Sequence, residues 1–281
     1  MYQILLQKIE GPVMKRKFIQ NIDTGITLYQ YNEIPVIEVE HAVGSAKIAL
    51  QGAHLLSWKP NGAQHDVLWL SEIEPFKAGN AIRGGIPVCF PWFNNAGTPA
   101  HGYARIRLWQ LRSHQIMPDS VQLIFTLNNE KNLPVATLDM TFAADCRLTF
   151  TNTGEKNAQI ALHSYFNVSD IRRIVLLNLP DSAYNSLTQQ QENVPTPRTV
   201  GENVDCIYRA ESGATVIDDP IYQRQIEVEH QNAGDIVLWN PWHKATGNMS
   251  ETGYQTMVCV ETARIRRRIN RESVGVIIRV K

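Results

Sequence analysis

In the stretch YQTMVCVETARI, Glu261 is a carboxylate set in an otherwise apolar run. Read at a period of two, Met257, Cys259, Glu261 and Ala263 share one strand face, and Val258 and Val260 share the other. A charge taken out of water is costly without a partner, so two readings fit. In one, burial raises the carboxyl pKa toward neutrality, as a general base requires. In the other, Glu261 is half of a buried ion pair with one of the arginines that follow it. Earlier in the chain, QIALHSYFNV puts Gln159, Ala161, His163 and Tyr165 on one face and Ile160 and Leu162 on the other. An imidazole among small and polar neighbours at a strand end can reach a cleft. The ordinary alternative, favoured on sequence alone, is a structural histidine bonded to backbone.

Residues 82–105, IRGGIPVCFPWFNNAGTPAHGYAR, hold neither a helical nor a strand period. Arg83 and Arg105 bracket a run of glycines, prolines and the rings Phe90, Trp92, Phe93 and Tyr103. A guanidinium is a planar fork that matches phosphate or carboxylate oxygens. Surface salt bridges are the ordinary alternative, but the neighbouring glycines and rings favour a loop that lines a pocket for an anion. His101, in the same loop, either donates to a ligand hydroxyl or fixes the turn at Gly102. Asp205, in NVDCIYRAES, either orients a sugar hydroxyl or caps a turn. Trp58, Trp92, Trp239 and Trp242 suit stacking on sugar faces or packing in a sandwich core. The arginines of TARIRRRINR read mostly as a solvated turn between two strands.

Other chemistries lack their signatures. No GxxxxGKS/T and no strand–GxGxxG–helix is present, so nucleotide cofactors have no support. The eight histidines show no HExxH and no paired metal-ligand spacing, and Gly-x-Ser-x-Gly is missing. Lys plus Arg and Asp plus Glu number 27 each, for a net charge of zero. That argues against nucleic acid or an anionic membrane as partner, since both are bound mainly through excess cations. Cys89, Cys146, Cys206 and Cys259 are far apart and read as buried thiols rather than a disulfide frame. MYQILLQKIEGP lacks a basic start followed by a long apolar run, and no window approaches a membrane span. The expectation is a cytoplasmic, reduced protein, in which Asn167-Val168-Ser169 and Asn248-Met249-Ser250 match the glycosylation pattern by chance.

The elements that must position these groups are strands. VQLIFTLN, ATLDMTFA and CRLTFTNTG alternate apolar and polar residues, with Ala143 to Asp145 turning a hairpin between the last two. Further strands are expected at 26–31, 35–40, 46–50, 66–70, 158–165, 174–179, 225–230, 235–239, 256–263 and 274–280. Helical spacing is scarce; SLTQQQENVP makes at most one turn before Pro195 and Pro197. At 281 residues, with 43% apolar residues and no linker-like stretch, the chain reads as one domain over 1–281, a large antiparallel sandwich.

Taken in order, IRGGIPVCFPWF, HGYAR, LHSYFNVSDI, VDCIYR, WNPWHKA and VCVETARI resemble the segments of the bacterial and fungal hexose-6-phosphate mutarotases, in the aldose 1-epimerase superfamily. The similarity runs from about GAHLLSW at 52–58 to the C-terminus. The resemblance implies an all-β, galactose-mutarotase-like β-supersandwich. It also implies interconversion of the α and β anomers of an aldohexose 6-phosphate, without metal or organic cofactor. It assigns the catalytic histidine to His163 and the catalytic glutamate to Glu261. Substrate binding falls to Arg83, Arg105, Asp205 and His101. Tyr103 stands where the family often has phenylalanine, and Ala100 where some members have a polar, substrate-contacting residue. On this reading Glu261 and His163 converge, a sugar's width apart, on a hollow rimmed by the two arginines. A non-catalytic carbohydrate-binding sandwich and a mutarotase for unphosphorylated hexoses are the alternatives.

Overall fold

The computed structural model describes residues 14–211 and 213–281. The N-terminal stretch read for a targeting signal lies outside them. Among the described residues the chain forms twenty-one strands, most of them alternating apolar runs separated by turns. The first five are β1 (Arg16–Asp23), β2 (Ile26–Tyr31), β3 (Ile34–His41), β4 (Gly44–Ala49) and β5 (His54–Pro60), which follow one another in an antiparallel meander. Then come β6 (Val88–Cys89), β7 (Gln110–Met117), β8 (Ser120–Asn128), β9 (Pro134–Phe142), β10 (Cys146–Asn152), β11 (Ala158–Leu162), β12 (Tyr165–Asn167) and β13 (Val175–Leu177). The last are β14 (Ser182–Asn185), β15 (Gln190–Asn193), β16 (Val204–Arg209), β17 (Ala214–Asp219), β18 (Arg224–Gln231), β19 (Asp235–Asn240), β20 (Met257–Ile269) and β21 (Ser273–Val280).

Two large sheets face each other. One runs β13-β17-β18-β21-β10-β9-β8-β7; the other runs β15-β14-β16-β19-β20-β11-β6, with β12 also pairing β20. Between them Leu123, Phe125, Met140, Leu148, Phe150 and Val276 of the first pack with Ile160, Leu162, Cys206, Leu238, Val258 and Val260 of the second. Core packing therefore takes one face of the second sheet. Its other face carries Cys89, Ala161, Val237 and Ala263 in one cluster and Tyr165, Cys259 and half-buried Trp239 in another. The first eight residues of β20 are buried, so that strand is covered on both sides.

Four local expectations change. Residues 66–70 form isolated bridges, Leu68 to Phe166 and Leu70 to Gly84, rather than a strand. The stretch 158–165 is interrupted at His163 and Ser164, between β11 and β12. In SLTQQQENVP a single turn does form, with the Gln189 N–H donating to the Asn185 carbonyl at 2.8 Å. It is the tip of the β14–β15 hairpin, and a strand follows it before the prolines. The arginine run is likewise strand through Ile269, with Arg266, Arg267 and Arg268 exposed and Arg264 buried. The hairpin at Ala143–Asp145 forms as expected, and the four cysteines are buried and unpaired.

The break at His163 is stitched to the loop that carries Arg83. The His163 N–H donates to the Pro87 carbonyl at 3.1 Å, and the Tyr165 N–H to the Gly85 carbonyl at 2.9 Å. Gly85 has φ +60°, and a Cβ there would come within 2.2 Å of the Leu55 carbonyl oxygen. Only glycine fits a left-handed backbone pressed so closely on a neighbouring strand. Gly85→Ala is expected to destabilise the fold by about 2 kcal/mol or more, checked by urea unfolding.

Candidate active site

Glu261 is set in β20, beside Val237 of β19, and Trp239 of β19 is beside both Cys259 and Asp205. Residues directly opposite across paired strands share a face. Asp205, Trp239, Cys259 and Glu261 thus look out of the sheet away from the main core. On the other side of β20, β11 ends with Leu162 opposite Thr262, and β12 begins with Tyr165 opposite Cys259. The two residues in between, His163 and Ser164, lie across from Glu261 and Val260, and the Val260 N–H donates to the Ser164 carbonyl at 3.2 Å.

This brings the imidazole Nε2 of His163 to 3.3 Å from Oε1 of Glu261. Expected a sugar's width apart, the two groups touch. Glu261 is 1% exposed and His163 is 7% exposed. Nδ1 of His163 and Oε2 of Glu261 are buried with no hydrogen-bond partner among the described residues. Arg264 binds Glu272 at 2.8 Å, and Arg266 binds Asp235 at 2.6 Å. The ion pair of Glu261 with a following arginine therefore does not occur, and Glu261 faces histidine instead.

Burial pushes the Glu261 carboxyl well above the usual carboxylate range, and the charge of Asp205 adds to the shift. Burial also pushes the His163 imidazole well down, with His101, Arg83 and Arg105 contributing repulsion. The pair thus holds one mobile proton in an environment that disfavours net charge. Asp205 is raised by burial and held back by a hydrogen bond with the Ser186 side chain and by nearby Lys244. It sits within β16, opposite Trp239, so the turn-cap reading of this residue is wrong.

Rings surround the pair. Tyr165 stacks on His163 with centroids 4.8 Å apart and planes at 8°, and Trp239 meets both edge-on at 6.0 Å. His101 approaches His163 edge-on at 5.7 Å and Phe93 at 5.0 Å. The His101 N–H donates to the Asn94 carbonyl at 2.8 Å, and its Nδ1 accepts from the Asn94 N–H at 3.3 Å. It therefore fixes the loop and also faces the site. Desolvation, reinforced by Arg105 and Arg83, pulls its pKa down to about 3, so it is neutral at pH 7.

Arg83 and Arg105 line one cavity of about 380 Å³, together with Asn80, Ala100, Gly102 and Asn248. His163, Glu261, Asp205 and His101 do not line it. His163 reaches it through its stacked neighbour Tyr165, whose hydroxyl accepts from a terminal nitrogen of Arg83 at 2.8 Å; Arg83 also donates from Nε to the Gly247 carbonyl at 2.9 Å. Arg105 donates to the Ala100 carbonyl at 2.8 Å, while its Nε is buried and unpartnered. Each guanidinium keeps donor capacity for a ligand.

Sequence reasoning missed Glu74 and underused Tyr165. The buried carboxylate of Glu74 accepts from the backbone N–H of Arg83 at 2.8 Å and of Phe76 at 3.1 Å, holding the start of the arginine loop. Nothing in its local pattern, SEIEPF, distinguishes it from a surface acid. The alternation already put Tyr165 on the face of His163; its link to Arg83 needed the fold.

A buried acid–base pair beside a cationic cavity suits proton transfer to and from an anionic substrate. Comparisons with known proteins agree. A Haemophilus influenzae protein that carries the provisional name glucose-6-phosphate 1-epimerase is 50% identical over 253 residues, covering 90% of this chain and 93% of its own. One solved crystal structure, 54% identical in sequence, matches with a TM-score of 0.94 over 95% of this chain and 100% of that one. Another, provisionally titled a mutarotase from Salmonella typhimurium, is 34% identical and matches with a TM-score of 0.88 over 94% and 96%. The three-sheet, nearly all-antiparallel architecture is the galactose-mutarotase-like fold. The sequence profile of the aldose 1-epimerase family matches residues 35–272, and the chain belongs to that family.

Proposed function

We propose that this protein interconverts the α and β anomers of aldohexose 6-phosphates, glucose 6-phosphate foremost. The observation that carries the proposal is the 3.3 Å approach of His163 Nε2 to Glu261 Oε1 beside a cavity lined by two arginines. Opening a pyranose removes the proton from O1 and delivers one to the ring oxygen O5. Both oxygens are bonded to C1, so the groups that serve them belong next to each other. Glu261 takes the O1 proton and His163 protonates O5; the aldehyde rotates about C1–C2, and the roles reverse on closure. Arg83 and Arg105 hold the phosphate, with Asp205 and His101 on the sugar hydroxyls.

The proton inventory supports these roles. Carboxylate plus imidazolium carries the same net charge as carboxylic acid plus imidazole. Burial and the two arginines favour the neutral form in the free site. A dianionic phosphate on Arg83 and Arg105 offsets their repulsion at His163. Bound substrate then favours the proton on the imidazole and the charge on the carboxylate, the form that starts the reaction. The same proposal includes a single domain over 1–281, supported by a core cluster that draws on all three sheets. It also includes cytoplasmic residence, supported by the four unpaired thiols. Among the described residues, no helix is long and apolar enough to cross a membrane.

Glu261→Gln and His163→Asn are each expected to lower kcat by about 10²–10⁴-fold, read by anomer-exchange NMR with glucose 6-phosphate. Wild-type protein that gives no acceleration over buffer would leave a carbohydrate-binding sandwich. Arg83→Ala and Arg105→Ala are expected to lose about 10–100-fold more kcat/KM on glucose 6-phosphate than on glucose, as fits removing a charged hydrogen bond. Equal losses on the two sugars would refute the phosphate assignment and favour an enzyme for unphosphorylated hexoses.

The raised carboxyl also bears on stability. The ordinary glutamate value is 4.5, so above it the unfolded chain releases a proton that the native state retains. Native stability therefore falls as pH rises from that value through the raised one. Glu261→Gln removes the ionisation and is expected to raise Tm by about 2 °C or more at pH 7, with a smaller gain near pH 4. Scanning calorimetry at the two pH values checks both sign and trend.

A further inference from the structure

The face that holds the acid–base pair contains a third group that the reaction does not use. Cys259 is fully buried two residues before Glu261 on β20, and the two side chains leave the strand on the same side. One ligand atom each from His163, Cys259 and Glu261 lie within 4.8 Å of one another. We propose that these three residues form a binding site for Zn²⁺ and that the metal, once bound, inhibits the enzyme.

Zinc takes imidazole nitrogen, thiolate sulfur and carboxylate oxygen at about 2.0–2.3 Å, in a tetrahedron whose fourth position stays open in many sites. Ligand atoms around such an ion stand somewhat over 3 Å apart, which His163 and Glu261 already do at 3.3 Å. A small side-chain adjustment of Cys259 completes the set. One carboxylate oxygen of the triad, Oε2 of Glu261 on a side chain 1% exposed, is buried without a partner among the described residues. A metal ion on that carboxylate supplies the partner the protein leaves missing there. The donor set selects the metal class, since thiolate and imidazole suit zinc, whereas magnesium and calcium take oxygen ligands. On binding, the carboxyl and thiol protons leave to solvent and two negative ligands balance the dication. The buried net charge is unchanged, and the two nearby guanidinium groups meet no added positive charge.

Zinc and substrate exclude each other, because the metal occupies the lone pairs through which Glu261 and His163 move protons. The inhibitory arm rests on the proposed mutarotase activity; the binding arm stands without it. The test titrates ZnCl₂ into the full chain by calorimetry, and separately adds Co²⁺ and follows its absorption. One Zn²⁺ per chain is expected, with a thiolate-to-cobalt charge-transfer band. Zinc is expected to compete with glucose 6-phosphate, and EDTA to restore the exchange rate. Cys259→Ala is expected to keep anomer exchange while losing about tenfold or more in zinc affinity, together with the inhibition. Cys89→Ala, a buried thiol on the same sheet face but outside the triad, is expected to bind zinc like the parent. Absence of stoichiometric zinc binding, absence of the thiolate band, or unchanged affinity in Cys259→Ala would overturn the site. Binding that leaves the exchange rate untouched would overturn the inhibition.

Discussion

A carboxyl group and an imidazole can be buried together because one proton between them leaves no net charge to desolvate. That condition, met by Glu261 and His163 at 3.3 Å, shapes what surrounds them. A charged pair in this setting needs hydrogen bonds to its remaining atoms, and Oε2 of Glu261 and Nδ1 of His163 have none. The site is held in a state that is costly to charge and therefore ready to exchange protons. The fold secures this by giving β20 two buried faces, one toward the sandwich core and one toward the rings of Tyr165 and Trp239.

Position follows from the break between β11 and β12. A continuous strand would carry His163 along with the pleat. Instead β11 and β12 pair β20 on either side of a two-residue gap, and the gap is tied to the Pro87 carbonyl. The loop that binds the backbone of His163 also bears Arg83. Glu74 holds the Arg83 backbone, and Gly247 and Tyr165 hold its side chain. The arginine loop and the Glu261–His163 pair are thus parts of one connected unit, and Tyr165 belongs to both through its hydroxyl and its stacked ring.

Much of this was legible in the sequence, for a physical reason. Where a strand has one buried face, as at Val121–Leu127 or Leu138–Phe142, side-chain alternation reports it directly. Strands without that contrast leave no such mark. β1 is almost wholly exposed and has no apolar face to reveal it. β16 carries Val204, Cys206 and Tyr208 on the core side but Ile207 on the site side, which blurs the period and made Asp205 look like a turn residue. The candidate site residues are legible because they violate their surroundings: a glutamate in an apolar strand and arginines among rings and glycines. Glu74 violates nothing locally, and only the fold brings it to the backbone of Arg83. The separation of the pair was misjudged because it was set by the size of a sugar rather than by its two reacting oxygens, which share one carbon.

The same geometry gives the phosphate, on the proposed function, more than an anchoring role. An anion that only tethered the sugar would stabilise ground and transition states alike and leave kcat unchanged. Here the guanidinium groups that attract the anion also depress the imidazole, in a region where desolvation already disfavours its charged form. Pairing them with a dianion removes that repulsion, and low local polarity makes the change felt over the short path through Tyr165 and His101. Binding at one end of the substrate then sets the position of the proton at the other. Burial keeps the unliganded pair neutral and the arginines reinforce this at His163; once paired with the anion, they no longer hold the imidazole back.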